Sequence, residues 1–157
     1  MSKFPEPRLE HLYDVHVDLE APQVVGQTPM GMRQIYIVKG GRLEGPKLKG
    51  TVLPGGGDWA TIRPDGALQL DVRAAVQLDD GPVIYAYYLG ILFGPQDTIM
   101  RALSGEDIPL SDYYFYISPL FQAGAPEYDW LNRTVAIGRG KVVRSGIEYS
   151  VWALVNP

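Results

Sequence analysis

Cysteine is absent from the 157 residues, which excludes disulfides, thiolate nucleophiles and cysteine-held metals or clusters. Histidine is almost absent. His11 and His16 are the only two, too few for a histidine-rich metal site, and a serine–histidine–aspartate triad would have to be built on His11. Positive charge is in deficit: 14 Lys and Arg stand against 18 Asp and Glu, for a net charge of -4, so no broad basic face is available for nucleic acid. The longest apolar run, residues 83–93, covers about half a membrane span. The first ten residues carry charges and two prolines where a secretion signal needs an apolar core, so the expected location is cytoplasmic, away from any membrane. Three consecutive glycines at 55–57 lack both the Lys-Ser/Thr of a phosphate loop and the spacing of a dinucleotide fingerprint. No cofactor and no metal are expected.

What is present reads as a globular β protein. Hydrophobic residues make up 46% and charged residues 20% of the chain, enough for one packed core, and a single domain over residues 1–157 is expected. Eighteen glycines and 13 prolines punctuate short β-branched and aromatic runs, and ten tyrosines are distributed among them. Residues 9–20 alternate, with Leu9, His11, Tyr13, Val15, Val17 and Leu19 on one face. A second strand fits 32–38, with a turn at Gly40-Gly41, and a weaker one fits 43–53. Residues 66–79 give the cleanest pattern: Leu68, Leu70, Val72, Ala74, Val76 and Leu78 share a face, opposite Gln69, Asp71, Arg73, Ala75 and Gln77. Residues 83–93 are apolar on both faces, so both faces require cover. Residues 95–103 form the one short helix. Strands follow at 113–122, 128–143 and 147–155, the last two joined at Arg144-Ser145-Gly146. Eight or nine strands joined by hairpins leave an exposed edge unless they close, so an antiparallel β-barrel is predicted, with a filled lumen or room for one small ligand.

The run Gly40-Gly41-Arg42-Leu43-Glu44-Gly45-Pro46-Lys47-Leu48-Lys49-Gly50-Thr51-Val52-Leu53-Pro54-Gly55-Gly56-Gly57-Asp58-Trp59 resembles the domain-of-unknown-function family 3237, also called uncharacterised protein family 0311. Arg63-Pro64-Asp65-Gly66, Leu70-Asp71-Val72-Arg73, Asp79-Asp80-Gly81, Tyr113-Tyr114-Phe115 and Tyr128-Asp129-Trp130-Leu131-Asn132-Arg133 extend the resemblance over nearly the whole chain. It implies a barrel similar in shape to the allene oxide cyclase and dirigent barrels, and no established activity. Where the family pattern carries an Arg and a Glu-Thr pair, this chain has Tyr116 and Gln122-Ala123. If those positions line the pocket, a less charged substrate or a different chemistry is expected.

The candidate site residues are those whose chemistry exceeds packing. Asp58 beside Trp59 reads as a general acid or base shielded by an indole that also stacks a substrate; the alternative is a carboxylate capping a glycine turn while the indole plugs a barrel end. Asp71 and Arg73 project from one strand face, Arg73 to hold an oxyanion and Asp71 to orient it or move a proton, or else both face water. Tyr114 and Tyr116 share a face with Ser118 and Gln122, and Tyr116 is the candidate oxyanion donor. Tyr85, Tyr87, Trp130 and Asn132 are candidate substrate contacts, with Arg33 a candidate anion anchor. The function expected from these residues is a cofactor-independent isomerase, cyclase or lyase/hydratase acting by proton transfer. Its substrate would be a hydrophobic aromatic, polyketide-like or terpenoid-like small molecule bound in the barrel. The alternatives are a non-catalytic small-molecule binding barrel and a structural subunit that uses residues 83–93 as an interface; a homo-oligomer fits all three.

Overall fold

A computed structural model describes residues 1–157. Ten strands, all paired antiparallel, form one sheet: β1 (Arg8–Leu19), β2 (Gln23–Thr28), β3 (Gly31–Glu44), β4 (Lys49–Val52), β5 (Gly57–Ile62), β6 (Leu68–Leu78), β7 (Val83–Phe93), β8 (Tyr114–Ala123), β9 (Ala136–Val143) and β10 (Gly146–Val155). The order runs β1-β10-β9-β8-β7-β6-β4-β3, and pairing of β1 with β3 from Asp14↔Glu44 to Leu19↔Val38 closes the wall into a barrel. β4 and β5 share one stave, since each bridges β3 to β6 at a different height.

Period-2 alternation decides what fills the lumen. On β6, Leu68, Leu70, Val72, Val76 and Leu78 are buried, so the aliphatic face is the inner face, and Asp71 and Arg73 leave on the outer one. Tyr13, Tyr88, Phe121 and Tyr149 fill the lower part of the lumen; Tyr88 and Tyr149 meet edge to face at 5.5 Å, and Tyr13 meets Phe121 at 6.2 Å. A 3-10 helix, Pro126–Arg133, links β8 to β9 at the lower end and buries Leu131 completely. The helix α1 (Gln96–Leu103) links β7 to β8 at the upper end.

Several sequence expectations need correction. Gly40-Gly41 is not a turn: β3 runs through both, because a Cβ at Gly41 would lie 2.0 Å from the carbonyl oxygen of His16 and only glycine permits β1 to come so near. β2 lies at the sheet margin, where Val24 and Val25 stay exposed and leave no alternation to read. Residues 128–133 are helical, not extended. Pro126 in the first turn, Glu127 and Asp129 after it, and Arg133 at the end reaching Asp129 at 2.8 Å are helix-terminus signals hidden within an aromatic run.

Candidate functional site

Above the tyrosine-filled half, the lumen opens into a cavity of about 820 Å3, a size that suits a small organic ligand. Its walls are Ile62, Leu68, Leu70, Leu92 and Phe115 from the strands, with Met100 and Leu103 of α1 and residues 18–22 and 143–147 at the mouth. Four polar side chains reach it from adjacent staves: Gln34, Tyr36 and the exposed Lys39 of β3, and Asp58 of β5, which pairs with Tyr36 across the β3–β5 ladder.

Asp58 is held there by a defect in the sheet. The β5–β6 ladder pairs Gly57↔Arg73 and Asp58↔Val72, then resumes only at Thr61↔Gln69. In the open interval the Asp71 amide donates to Asp58 Oδ1 at 3.0 Å, and Arg33 Nη1 donates to the Trp59 carbonyl at 2.6 Å. Asp58 is 8% exposed, the one polar or charged residue in the buried core. Burial pushes its carboxyl up to about 6; the Asp71 charge adds to the rise, while the Asp71 amide and the Arg33 guanidinium oppose it. Tyr36 donates to Gln34 Oε1 at 2.9 Å, and its phenol is raised by burial and then by the Asp58 charge, so it stays protonated. A carboxyl that titrates near neutrality, a neutral phenol and an apolar chamber can together give a proton to carbon or oxygen and take one back.

The other candidates are not assembled around Asp58. Trp59 follows it in β5 but faces outward, so it neither shields the carboxyl from within nor plugs a barrel end. Arg73 lies on the outer wall between aromatic faces, with its guanidinium carbon 5.8 Å from the Trp59 ring centre and 5.3 Å from that of Tyr87. Tyr85, Tyr87, Arg73 and Asn132 line a separate outer groove of about 630 Å3 with Gln122 and Thr134. Asn132 is tied down there: its amide donates to the Ala123 carbonyl at 2.9 Å, and its oxygen accepts the Ala123 amide at 2.7 Å. Trp130 sits in the 3-10 helix under Lys47, whose Nζ is 5.4 Å from the ring. Tyr114 and Tyr116 meet on the outside at 4.8 Å with their rings tilted by 55°, and Arg139 lies over Tyr116 at 5.7 Å. Asp71 contacts Asp58 through its backbone amide, while its side-chain charge acts on Asp58 from the outer face. The single catalytic cluster of Asp58, Asp71, Arg73 and Tyr116 is therefore split by the barrel wall. Tyr116 and Gln122 do not line the lumen, which removes the premise that their exchange makes the substrate less charged. Sequence reasoning missed Tyr36 and Gln34. Their alternation with Met32 in the second strand was visible, but nothing marked that face as the inner one.

A family model described as a protein of unknown function (DUF3237) matches residues 7–154. The chain belongs to the DUF3237 family. A UPF0311 protein of Clostridium acetobutylicum is similar to this DUF3237 chain at 34% identity over 132 residues, 83% of this chain and 84% of the relative. The crystal structure of a beta-barrel like protein from Acinetobacter baumannii superposes with a TM-score of 0.84 at 33% identity, covering 98% of this chain and 99% of the other. A hydroalkoxylation enzyme of Penicillium herquei is 25% identical over 137 residues, 87% of this chain and 76% of that enzyme. This member of DUF3237 thus has a distant homologue that is an enzyme, and it shares its fold with the beta-barrel like Acinetobacter protein.

Proposed function

We propose that the protein is a cofactor-independent enzyme that rearranges an apolar, unsaturated small molecule in the upper lumen by proton transfer through Asp58. The observation that carries this reading is Asp58 itself: a lone carboxyl buried against an apolar cavity, raised to about 6. Burial of that kind costs stability, and acid–base catalysis gives it a use. The distant fungal relative named for hydroalkoxylation supports the same chemistry, because adding a hydroxyl across a carbon–carbon double bond begins with protonation of carbon.

In such a reaction the protonated Asp58 carboxyl gives its proton to one alkene or enol carbon. The positive charge develops on the neighbouring carbon, facing the Tyr36 and Phe115 rings. A hydroxyl of the same molecule closes on that carbon, and its proton returns to the Asp58 carboxylate. The net change is a cyclisation with no co-reactant. Tyr36, neutral and directed at Gln34, orients the substrate oxygen.

The test is turnover of allyl- and prenyl-substituted phenols and aromatic enols by wild type and Asp58→Asn, with ligand affinity measured in parallel. The expected result is a fall in kcat of about 100-fold to 10,000-fold with affinity within a few-fold. An Asp58→Asn protein that keeps its turnover removes Asp58 from the mechanism. Binding without turnover across the panel in wild type favours a carrier.

A further inference from the structure

The outer face of β7 presents Val83, Tyr85, Tyr87, Leu89, Ile91 and Phe93, and β6 and β8 flank it in the sheet. Val83, Leu89 and Phe93 are 50%, 46% and 46% exposed, and next to them on β8 Tyr114 and Leu120 are 55% and 53% exposed. Apolar side chains exposed singly are ordinary on a protein surface, but a row of them along one strand and its neighbour is the kind of patch that marks contact with another chain.

The charges on the same face are unmatched within the chain. Asp71 sits across from Leu89, and Arg73 across from Tyr87. Asp71 makes no ion pair within the chain; its Oδ1 is buried without a hydrogen-bond partner, which leaves Oδ2 as the oxygen it can offer outward, and Arg73 has aromatic contacts but no carboxylate. A patch that carries both halves of an ion pair two residues apart is complementary to itself, the signature of an isologous contact.

We propose that this face is a homodimer interface, with a second copy of the chain docked antiparallel about a two-fold axis running across the strands at the level of Val72 and Tyr88. That axis exchanges the level of Asp71 with the level of Arg73. Asp71 of each copy meets Arg73 of the other, Leu89 meets Tyr87, and Ile91 meets Tyr85. One strand further on, Tyr116 of each copy comes over Gln122 of the other, where the outer groove of about 630 Å3 opens. An axis running along β6 would instead set Asp71 on Asp71 and Arg73 on Arg73, a like-charge juxtaposition that costs affinity, and one along β7 would lay β6 over β8 of the other copy and leave both charges unmatched.

Sedimentation velocity of the full chain across about 1 to 100 µM tests this, with circular dichroism of each variant as the folding control. The expected wild-type species has twice the 17.4 kDa of one chain. Leu89→Arg weakens the dimer about 100-fold, as loss of a central apolar contact does. Asp71→Arg and Arg73→Asp each weaken it at least about 10-fold, and the double swap returns it to within about 3-fold of wild type. Where Leu89→Arg does not fold, Leu120→Lys on the neighbouring strand carries the same expectation. A wild type that stays at 17.4 kDa throughout overturns the proposal, as does a dimer that survives the apolar substitutions or a double swap no tighter than the single ones. Asp58→Asn leaves the dimer unchanged, so this proposal and the catalytic one fail separately.

Discussion

Asp58 destabilises the fold it sits in, and the size of that effect can be worked out. Its carboxyl titrates at about 6 in the folded chain against 3.8 ordinarily. At 1.36 kcal/mol for each pH unit, ionising it in place costs about 3 kcal/mol relative to ionising it in the unfolded chain. The sign follows from the direction. A carboxyl with a raised folded value binds its proton more tightly when folded, so its contribution is intact below about pH 4 and is lost as pH rises through about 6. Asp58→Asn supplies a neutral isostere whose oxygen can still accept the Asp71 amide. At pH 8 the variant should therefore be more stable than wild type by up to about 3 kcal/mol, roughly 6–12 °C in Tm for a chain of this size. At pH 4 the two should nearly coincide. His16 complicates the raw profile: burial pulls its pKa down, but hydrogen bonds to Asp18 and Glu148 more than offset that, so it too loses stabilisation as pH rises. The informative quantity is accordingly the difference between wild type and variant, from urea unfolding at pH 4, 6 and 8. A variant less stable than wild type at pH 8, or a difference that does not grow with pH, would refute the claim that the carboxyl is buried in the lumen. Stabilisation combined with lost turnover would mark Asp58 as a group kept for chemistry at the expense of stability.

Removal of the guanidinium in Arg33→Ala should raise the Asp58 value above about 6, because Arg33 opposes the rise; carbon-13 titration of the Asp58 carboxyl reads it, and a fall would contradict the geometry. Leu131→Ala at the lower end should cost about 2–5 kcal/mol in urea unfolding while leaving ligand affinity within a few-fold, since Leu131 is fully buried but does not line the cavity. Leu70→Phe should instead cut ligand affinity at least about 10-fold with a smaller stability change, because the added ring volume enters the open half of the lumen.

Much of the barrel was legible because its strands alternate cleanly. β6, β7, β8 and β10 fall close to where period-2 patterning puts them, and the turns at Asp79-Asp80-Gly81 and Arg144-Ser145-Gly146 join strands as read. The misses have local causes. β5 begins inside the glycine run, which reads as loop because glycine signals freedom and not the close packing it also permits. The site was harder to read because alternation assigns residues to faces and leaves open which face is inside. Asp71, Arg73, Tyr114 and Tyr116 were correctly grouped with their face-mates, yet that face is the outer wall. Asp58 was found from its chemistry. Its partner Tyr36 could be found only through the β3–β5 pairing, which joins residues 22 positions apart across the intervening β4.

The open half of the lumen depends on what β9 lacks. Phe115 lines the cavity and is 2% exposed, and its ring lies flat against the β9 backbone at Gly140. A Cβ at Gly140 would come within 2.8 Å of three ring atoms of Phe115, a distance no real contact allows. The ring occupies that space only because the side chain there is a hydrogen, and the volume it takes from β9 is volume left free for a ligand. Gly140→Ala should therefore drive the ring inward, toward the side of the cavity that faces Asp58 and Tyr36. Overpacking of this kind costs about 1–3 kcal/mol of stability, whereas affinity for any ligand filling the chamber should fall by more than about 10-fold. The compensating Phe115→Leu change in the same chain should restore room and recover most of the binding. Calorimetric titration with the best ligand of the allyl-phenol panel, alongside urea unfolding, separates the two effects. A Gly140→Ala protein that loses stability but binds as wild type does would mean the ring has another place to go, and that the cavity's shape is not set at Gly140.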